Sequence, residues 1–204
     1  MKKSFSDIAG YNWAKHQIEV LASKGIINGT SKDIFSPKLN ITRADYLVLL
    51  VNTMGLTAKF DSNFDDVKPG THYYEAVGIA KKLGITTGSG DNNFNPKDYI
   101  SRQDMMALTA RALVNYKRLE AVNTSTVLDK FSDKADIAVY ATESIAALVK
   151  EGMIAGSGYK LNPRANTTRA EAAVFLYRIY HATFDRPKVA ENAPLNAVVA
   201  VRAQ

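Results

Sequence analysis

The stretch NITRADYLVLL, residues 40–50, decides the fold. It begins as a capped helix and runs on as an apolar one. Thr42 can cap the first turn, and Asp45, three residues later, has the capping-box spacing to return the bond. From Ala44 to Val51 nearly every residue is apolar, so this helix has no face for solvent and belongs in a core. Arg43 is the anomaly. It falls in the first helical turn, where the dipole favours acids and disfavours cations.

The anomaly recurs at Arg102 in YISRQDMMAL and at Arg169 in NTTRAEAAVF, and the surroundings recur with it. Segments opening at Phe5, Phe64 and Phe131 each carry an acid two residues on, Asp7, Asp66 and Asp133. Trp13, His72 and Tyr140 each stand 12 residues before a glycine: Gly25, Gly84 and Gly152. A second glycine follows four residues later, at Gly29, Gly88 and Gly156. Then come Phe35-Ser-Pro37, Phe94-Asn-Pro96 and Leu161-Asn-Pro163, each proline five residues before the cap at Thr42, Ser101 or Thr168. Asp104 and Glu171 take the place of Asp45 in the second and third copies. Self-similarity at this period marks a tandem repeat.

One repeat is readable as a first helix, a polar loop and a second helix. In the first copy Ile18, Leu21 and Ala22 have helical spacing, and Ile145, Leu148 and Val149 repeat it. Gly25, Gly84 and Gly152 suit the left-handed position after a helix end. Proline stiffens the approach to the second helix. The second helices, Met105–Val114 and Ala170–Tyr177 like the first copy's, are apolar on nearly every side. The predicted fold is all-α: three repeats in a pseudo-threefold arrangement, with a central three-helix bundle and outer first helices. The predicted repeats span 4–59, 60–126 and 127–183, followed by a tail or linker at 184–204. Since no single copy can hide its apolar faces, the three should form one cooperative domain.

Composition narrows function. With 46% hydrophobic and 23% charged residues in 204, the chain suits a globular core, and no apolar run reaches membrane-span length. Met1-Lys2-Lys3 has the charge of a signal-peptide n-region, but no apolar h-region follows; an export signal is expected outside this chain. No cysteine is present, which excludes disulfides and thiolate chemistry. The net charge of +6 favours acidic partners, but the cations are scattered rather than set in a nucleic-acid stripe. His16, His72 and His181 share no metal spacing, and no cofactor motif is present. The loop from Asp91 fails as a calcium loop because Pro96 stands where glycine is needed and Arg102 where glutamate is needed. No nucleophile elbow appears, and the repeated acids give no unique carboxylate pair for glycosidic cleavage.

The opening Phe-x-Asp, the aromatic before the first helix, the paired glycines, the Phe-x-Pro (Leu-x-Pro in the third copy) and the Ile-Thr-Arg-Ala-Glu-like signature (Ser-Arg-Gln-Asp in the second), recurring in order three times, resemble the S-layer homology family over about residues 4–181. The resemblance implies a secreted, non-catalytic module that anchors an S-layer or surface protein to the wall of a Gram-positive-type bacterium. Its partner would be a secondary cell-wall polysaccharide bearing a ketal-linked pyruvate on an amino sugar. It implies that Arg43, Arg102 and Arg169 clamp carboxylates in grooves between repeats, a task that suits the guanidinium fork. Free backbone N–H groups at the same helix ends would add attraction for an anion. Gly29, Gly88 and Gly156 would let backbone approach the sugar, and Trp13, His72 and Tyr140 could stack on it.

Each feature also has a plainer reading. Thr42, Asp45, Ser101, Asp104, Thr168 and Glu171 are helix caps first. The opening phenylalanines are core anchors, the second glycines can be turn residues, and the three aromatics can simply pack. A salt bridge to a neighbouring repeat's aspartate is the rival role for the arginines. The competing functions are a wall-acting surface enzyme and a direct peptidoglycan binder.

Overall fold

The computed structural model describes residues 3–116, 118–120, 122 and 126–184. The expected tail lies outside them apart from its first residue. Six α-helices form in the described residues: α1 (Asn12–Ser23), α2 (Arg43–Met54), α3 (Tyr74–Lys82), α4 (Arg102–Asn115), α5 (Val139–Lys150) and α6 (Arg169–Phe184). Short 3-10 turns at Ser6–Ile8, Thr126–Leu128 and Lys134–Asp136 complete the regular structure. Extended pairing among the described residues is confined to isolated bridges such as Asn40 with Thr168 and Thr42 with Tyr99. The class is all-α, two helices per repeat.

The first helices end as their glycines predict. Gly25 takes φ +72°; its N–H donates to Ala22 and that of Ile26 to Leu21, 3.0 Å each. This is the Schellman closure, which satisfies carbonyls the helix leaves open. The second helices are buried around most of their girth: Ala44, Tyr46, Leu47, Leu50 and Val51 on α2, Met105 to Ala110 on α4, and Ala170, Ala172, Ala173, Leu176 and Ile179 on α6.

The described residues gather into two compact units, one within 1–100 and 166–180, the other within 101–165 and 181–204. In the first unit α2 packs on α3, and in the second α4 packs on α5. The first unit also holds a closed cycle of backbone hydrogen bonds joining all three repeats. Ile41 N–H donates to Thr167 (2.9 Å), Thr167 to Ile100 (3.0 Å) and Ile100 to Ile41 (3.0 Å). All three residues are buried, Thr167 to 0% exposure, and its Oγ1 has no hydrogen-bond partner among the described residues.

The polar loops are ordered by the opening acids. Both carboxylate oxygens of Asp66 accept backbone N–H groups, from Phe94 (2.9 Å) and Asn95 (2.7 Å). Asp7 does the same for Phe35 and Ser36, and Asp133 for Leu161 and Asn162. The second partner is in each case a non-glycine residue in the left-handed region: Ser36 at φ +59°, Asn95 at +56° and Asn162 at +51°. Such a residue costs about 1–2 kcal/mol, while a hydrogen bond to a charged group contributes about 1.5–3 kcal/mol. The carboxylate therefore wins and fixes the loop just before its proline.

Asp66→Ala is expected to lower the unfolding free energy by about 2–3 kcal/mol in denaturant titration; an unchanged value would contradict this role. Thr167→Val keeps the shape and removes the orphan oxygen, so it is expected to raise stability by about 1–2 kcal/mol. A loss of stability would mean that the hydroxyl has a partner.

Candidate functional site

The three arginines begin α2, α4 and α6, and each helix start is closed by the loop of another repeat. Arg43 N–H donates to the Asp98 carbonyl (2.8 Å) and Ala44 N–H to that of Pro96 (3.1 Å). The third N–H, of Asp45, donates to Thr42 Oγ1 (3.1 Å). Arg43 Nε–H then reaches back to the Phe94 carbonyl (3.0 Å). One loop thus aims three alternate carbonyls, 94, 96 and 98, at one helix terminus.

The pattern repeats twice. In the second copy Arg102 N–H meets Ala165, Gln103 N–H meets Pro163, and Arg102 Nε–H meets Leu161 at 2.9 Å. In the third, Arg169 N–H meets Leu39, Ala170 N–H meets Pro37, and Arg169 Nε–H meets Phe35 at 2.9 Å. The first copy's helix holds the second copy's loop, the second holds the third's, and the third holds the first's.

This geometry resolves the anomaly of Arg43. A carbonyl oxygen carries the negative end of the peptide dipole, so the guanidinium that donates to the Phe94 carbonyl is stabilised rather than repelled. It also corrects one expectation. The first three N–H groups of α2, α4 and α6 are already bonded to loop carbonyls and caps. Free backbone donors for an anion are therefore absent at these positions, and any carboxylate must be met by side chains.

The guanidinium groups are half-buried and further held by rings. Arg43 Cζ lies 5.0 Å from the Phe94 centroid and Arg169 Cζ 4.7 Å from that of Phe35. Arg102 has Leu161 at this place, without a π-face. Arg169 NH2 also donates to the Asn28 carbonyl (2.7 Å). Burial lowers the pKa of Arg169, while Asp45 and Asp7 push it the other way; the group stays charged, as arginine does in proteins.

The caps divide along side-chain length. Glu171 closes the full capping box: its Oε2 accepts from Thr168 N–H at 2.9 Å, and its own N–H donates to Thr168 Oγ1 at 3.3 Å. Asp45, one methylene shorter, does not return the expected bond to Thr42. Its Oδ1 lies 2.8 Å from His72 Nε2 instead. Ser101 Oγ accepts from Asp104 N–H (3.1 Å), and Asp104 Oδ1 accepts from the Tyr140 hydroxyl.

Of the candidate sugar platforms, Trp13 is 53% exposed and Tyr140 54%, and the His72 side chain is 67% exposed. His72 and Tyr140 thereby sit at the helix termini that carry Arg43 and Arg102, with their polar edges committed to the acids. The Trp13 and Tyr11 ring centroids lie 6.3 Å apart. The second glycines have an internal reason. A Cβ on Gly156 would lie 2.7 Å from both the Lys160 carbonyl oxygen and the Phe131 ring, and one on Gly29 2.7 Å from the Phe5 ring. At Gly88 it would strike the Asn93 carbonyl and the Phe64 ring. At each of these glycines the repeat's own opening phenylalanine makes a close approach.

Reading residue by residue missed the loop carbonyls and Asn28, since a backbone oxygen has no sequence signature. The alternation of the three loops around a fixed proline was the available signal.

A model described as the S-layer homology domain matches residues 4–47, 63–106 and 130–173. Among curated relatives, the amylopullulanase of Thermoanaerobacterium thermosulfurigenes is 36% identical over 180 residues, covering 86% of this chain and 9% of that protein. The exoglucanase XynX of Acetivibrio thermocellus is 35% identical over 184 residues, covering 87% and 16%. The surface-layer 125 kDa protein of Lysinibacillus sphaericus is 31% identical over 189 residues, covering 91% and 15%. The chain therefore spans less than a fifth of the length of these three relatives.

Arg169→Ala removes two side-chain hydrogen bonds to carbonyls and the contact with Phe35, and is expected to cost about 2–3 kcal/mol of stability. Arg169→Lys should recover part of it. Equal stability of Arg169→Ala and the parent chain in denaturant titration would contradict the stapling role.

Proposed function

The chain belongs to the S-layer homology family, and from that premise we propose that it is a non-catalytic anchor binding a secondary cell-wall polysaccharide through Arg43, Arg102 and Arg169. Domains of this family are cell-surface anchoring modules in S-layer proteins and cell-wall enzymes. The enzyme relatives match over a small part of their length, and the matched part is the module itself. Among the described residues no helix is long and apolar enough to cross a membrane. The reading places the chain outside the cell, on the wall of a Gram-positive-type bacterium.

The observation that carries the reading is the state of Arg169. Among the described residues it uses two of its five N–H donors, and these hold the guanidinium rigidly between the Phe35 ring and two carbonyls. A charged fork fixed in place, with donors to spare and half open to solvent, is prepared for a carboxylate in bidentate geometry. A pyruvate ketal on an amino sugar supplies that group, and the exposed Trp13, His72 and Tyr140 supply apolar surface for the ring that bears it.

The test is co-sedimentation with purified walls that keep their secondary polysaccharide and with walls stripped of it. Binding only to intact walls is expected. Replacing all three arginines by lysine keeps the charge and loses the fork; with folding verified by circular dichroism, affinity should fall by about 1.5–3 kcal/mol per working site. Equal binding to stripped walls would favour peptidoglycan, and unchanged affinity of the lysine variant would overturn the clamp.

A further inference from the structure

The three arginine termini differ in one residue that changes charge near neutral pH. Where the other repeats have Trp13 and Tyr140, the second has His72. Its Nε2 lies 2.8 Å from Asp45 Oδ1, on the helix that Arg43 begins. Imidazole is the side chain whose charge changes between about pH 5 and 8, while indole does not ionise and phenol ionises only near pH 10.

We propose that His72 makes the Arg43 terminus a pH-dependent anion site, tighter in mild acid, while the Arg102 terminus is insensitive over the same range. The inference rests on reading Arg43 as a carboxylate clamp. Protonated, His72 pairs with Asp45 and cancels its charge, which favours an anion at Arg43. Neutral, its Nε2–H still donates a hydrogen bond to Asp45, but the carboxylate then keeps its full charge two residues from Arg43 and opposes any incoming anion.

The charged groups around the imidazole support this sign. On α2 they are Arg43 and Asp45, and Asp45 also acts on Arg169 at the start of α6. The loop bonded to the α2 start carries one cation and one anion, Lys97 and Asp98, and on α3 the first-turn acid is Glu75. Tyr73 packs edge-on against the imidazole, with ring centroids 5.0 Å apart. Of all these, Asp45 is the one within hydrogen-bond reach. An ordinary carboxylate ligand stays ionised across the range, so the change belongs to the protein. Since His72 is two-thirds exposed, solvent screens the effect, and a modest change of about three- to tenfold in Kd is expected.

The probe is the methyl glycoside of an N-acetylhexosamine carrying a ketal-linked pyruvate. It is titrated into the full chain labelled with nitrogen-15 at arginine, at about pH 5.5 and about pH 8. The Nε–H signals of Arg43, Arg102 and Arg169 report on the three termini separately. Binding at Arg43 should be tighter at the lower pH, with no such change at Arg102. By linkage, the bound glycoside should draw a proton onto His72, seen in its imidazole C–H shifts. His72→Tyr, which copies the Tyr140 terminus, should bind with equal strength at both pH values. Binding at Arg43 that ignores pH, or pH dependence that survives His72→Tyr, would overturn the switch and leave the clamp standing. A signal from Arg43 that does not move at either pH would overturn the switch, and silence at all three arginines would overturn the clamp as well.

Discussion

Three carbonyl oxygens from one loop, aimed at one helix start, are the constraint on which the rest of this structure depends. A helix leaves its first N–H groups without partners. Here the partners come from the loop of another repeat rather than from water: Pro96 and Asp98 for α2, Pro163 and Ala165 for α4, Pro37 and Leu39 for α6. The carbonyls two residues before the prolines' own, those of Phe94, Leu161 and Phe35, then bind the arginine side chains. The loop must hold its shape for this to work, and the opening aspartates hold it by fixing a left-handed residue before each proline. A short acid near the start of each repeat thus controls the geometry of a guanidinium that belongs to a different one.

The Nε of each arginine staples the loop, and under the proposed function the outer guanidinium nitrogens would meet the carboxylate. The three termini are not equivalent. Arg43 and Arg169 lie against phenylalanine rings, while Arg102 lies against Leu161. Glu171 folds back onto its own cap, whereas Asp45 and Asp104 turn to His72 and Tyr140. These differences arise from single substitutions within a repeat.

Much of this was legible in the chain. The helix starts at Thr42 and Ser101, the glycine closure after α1 and the burial of the second helices follow from spacing and apolar pattern, because those depend on local rules. The role of Asp66 did not, because its partners are backbone N–H groups 28 and 29 residues away. The left-handed Asn95 was hidden too: the residue before a proline is ordinarily extended, and only the distant carboxylate overrides that preference. Asp45 looked like half of a capping box, and its spacing was right; one missing methylene and the presence of His72 redirected it. The helix dipole argument, applied to Arg43 alone, pointed to an anion held by free N–H groups, and it took the loop carbonyls to show that those groups are occupied.

The proposed clamp requires that side-chain guanidinium, and not helix N-terminal backbone, receives the carboxylate. The decisive measurement is a crystal structure of the chain with the pyruvylated hexosamine glycoside bound. The carboxylate is expected against the outer guanidinium nitrogens of at least one of Arg43, Arg102 and Arg169, with the N–H groups of that arginine and the next residue still bonded to their loop carbonyls. A carboxylate bonded to those backbone N–H groups, with the loop displaced, would contradict it.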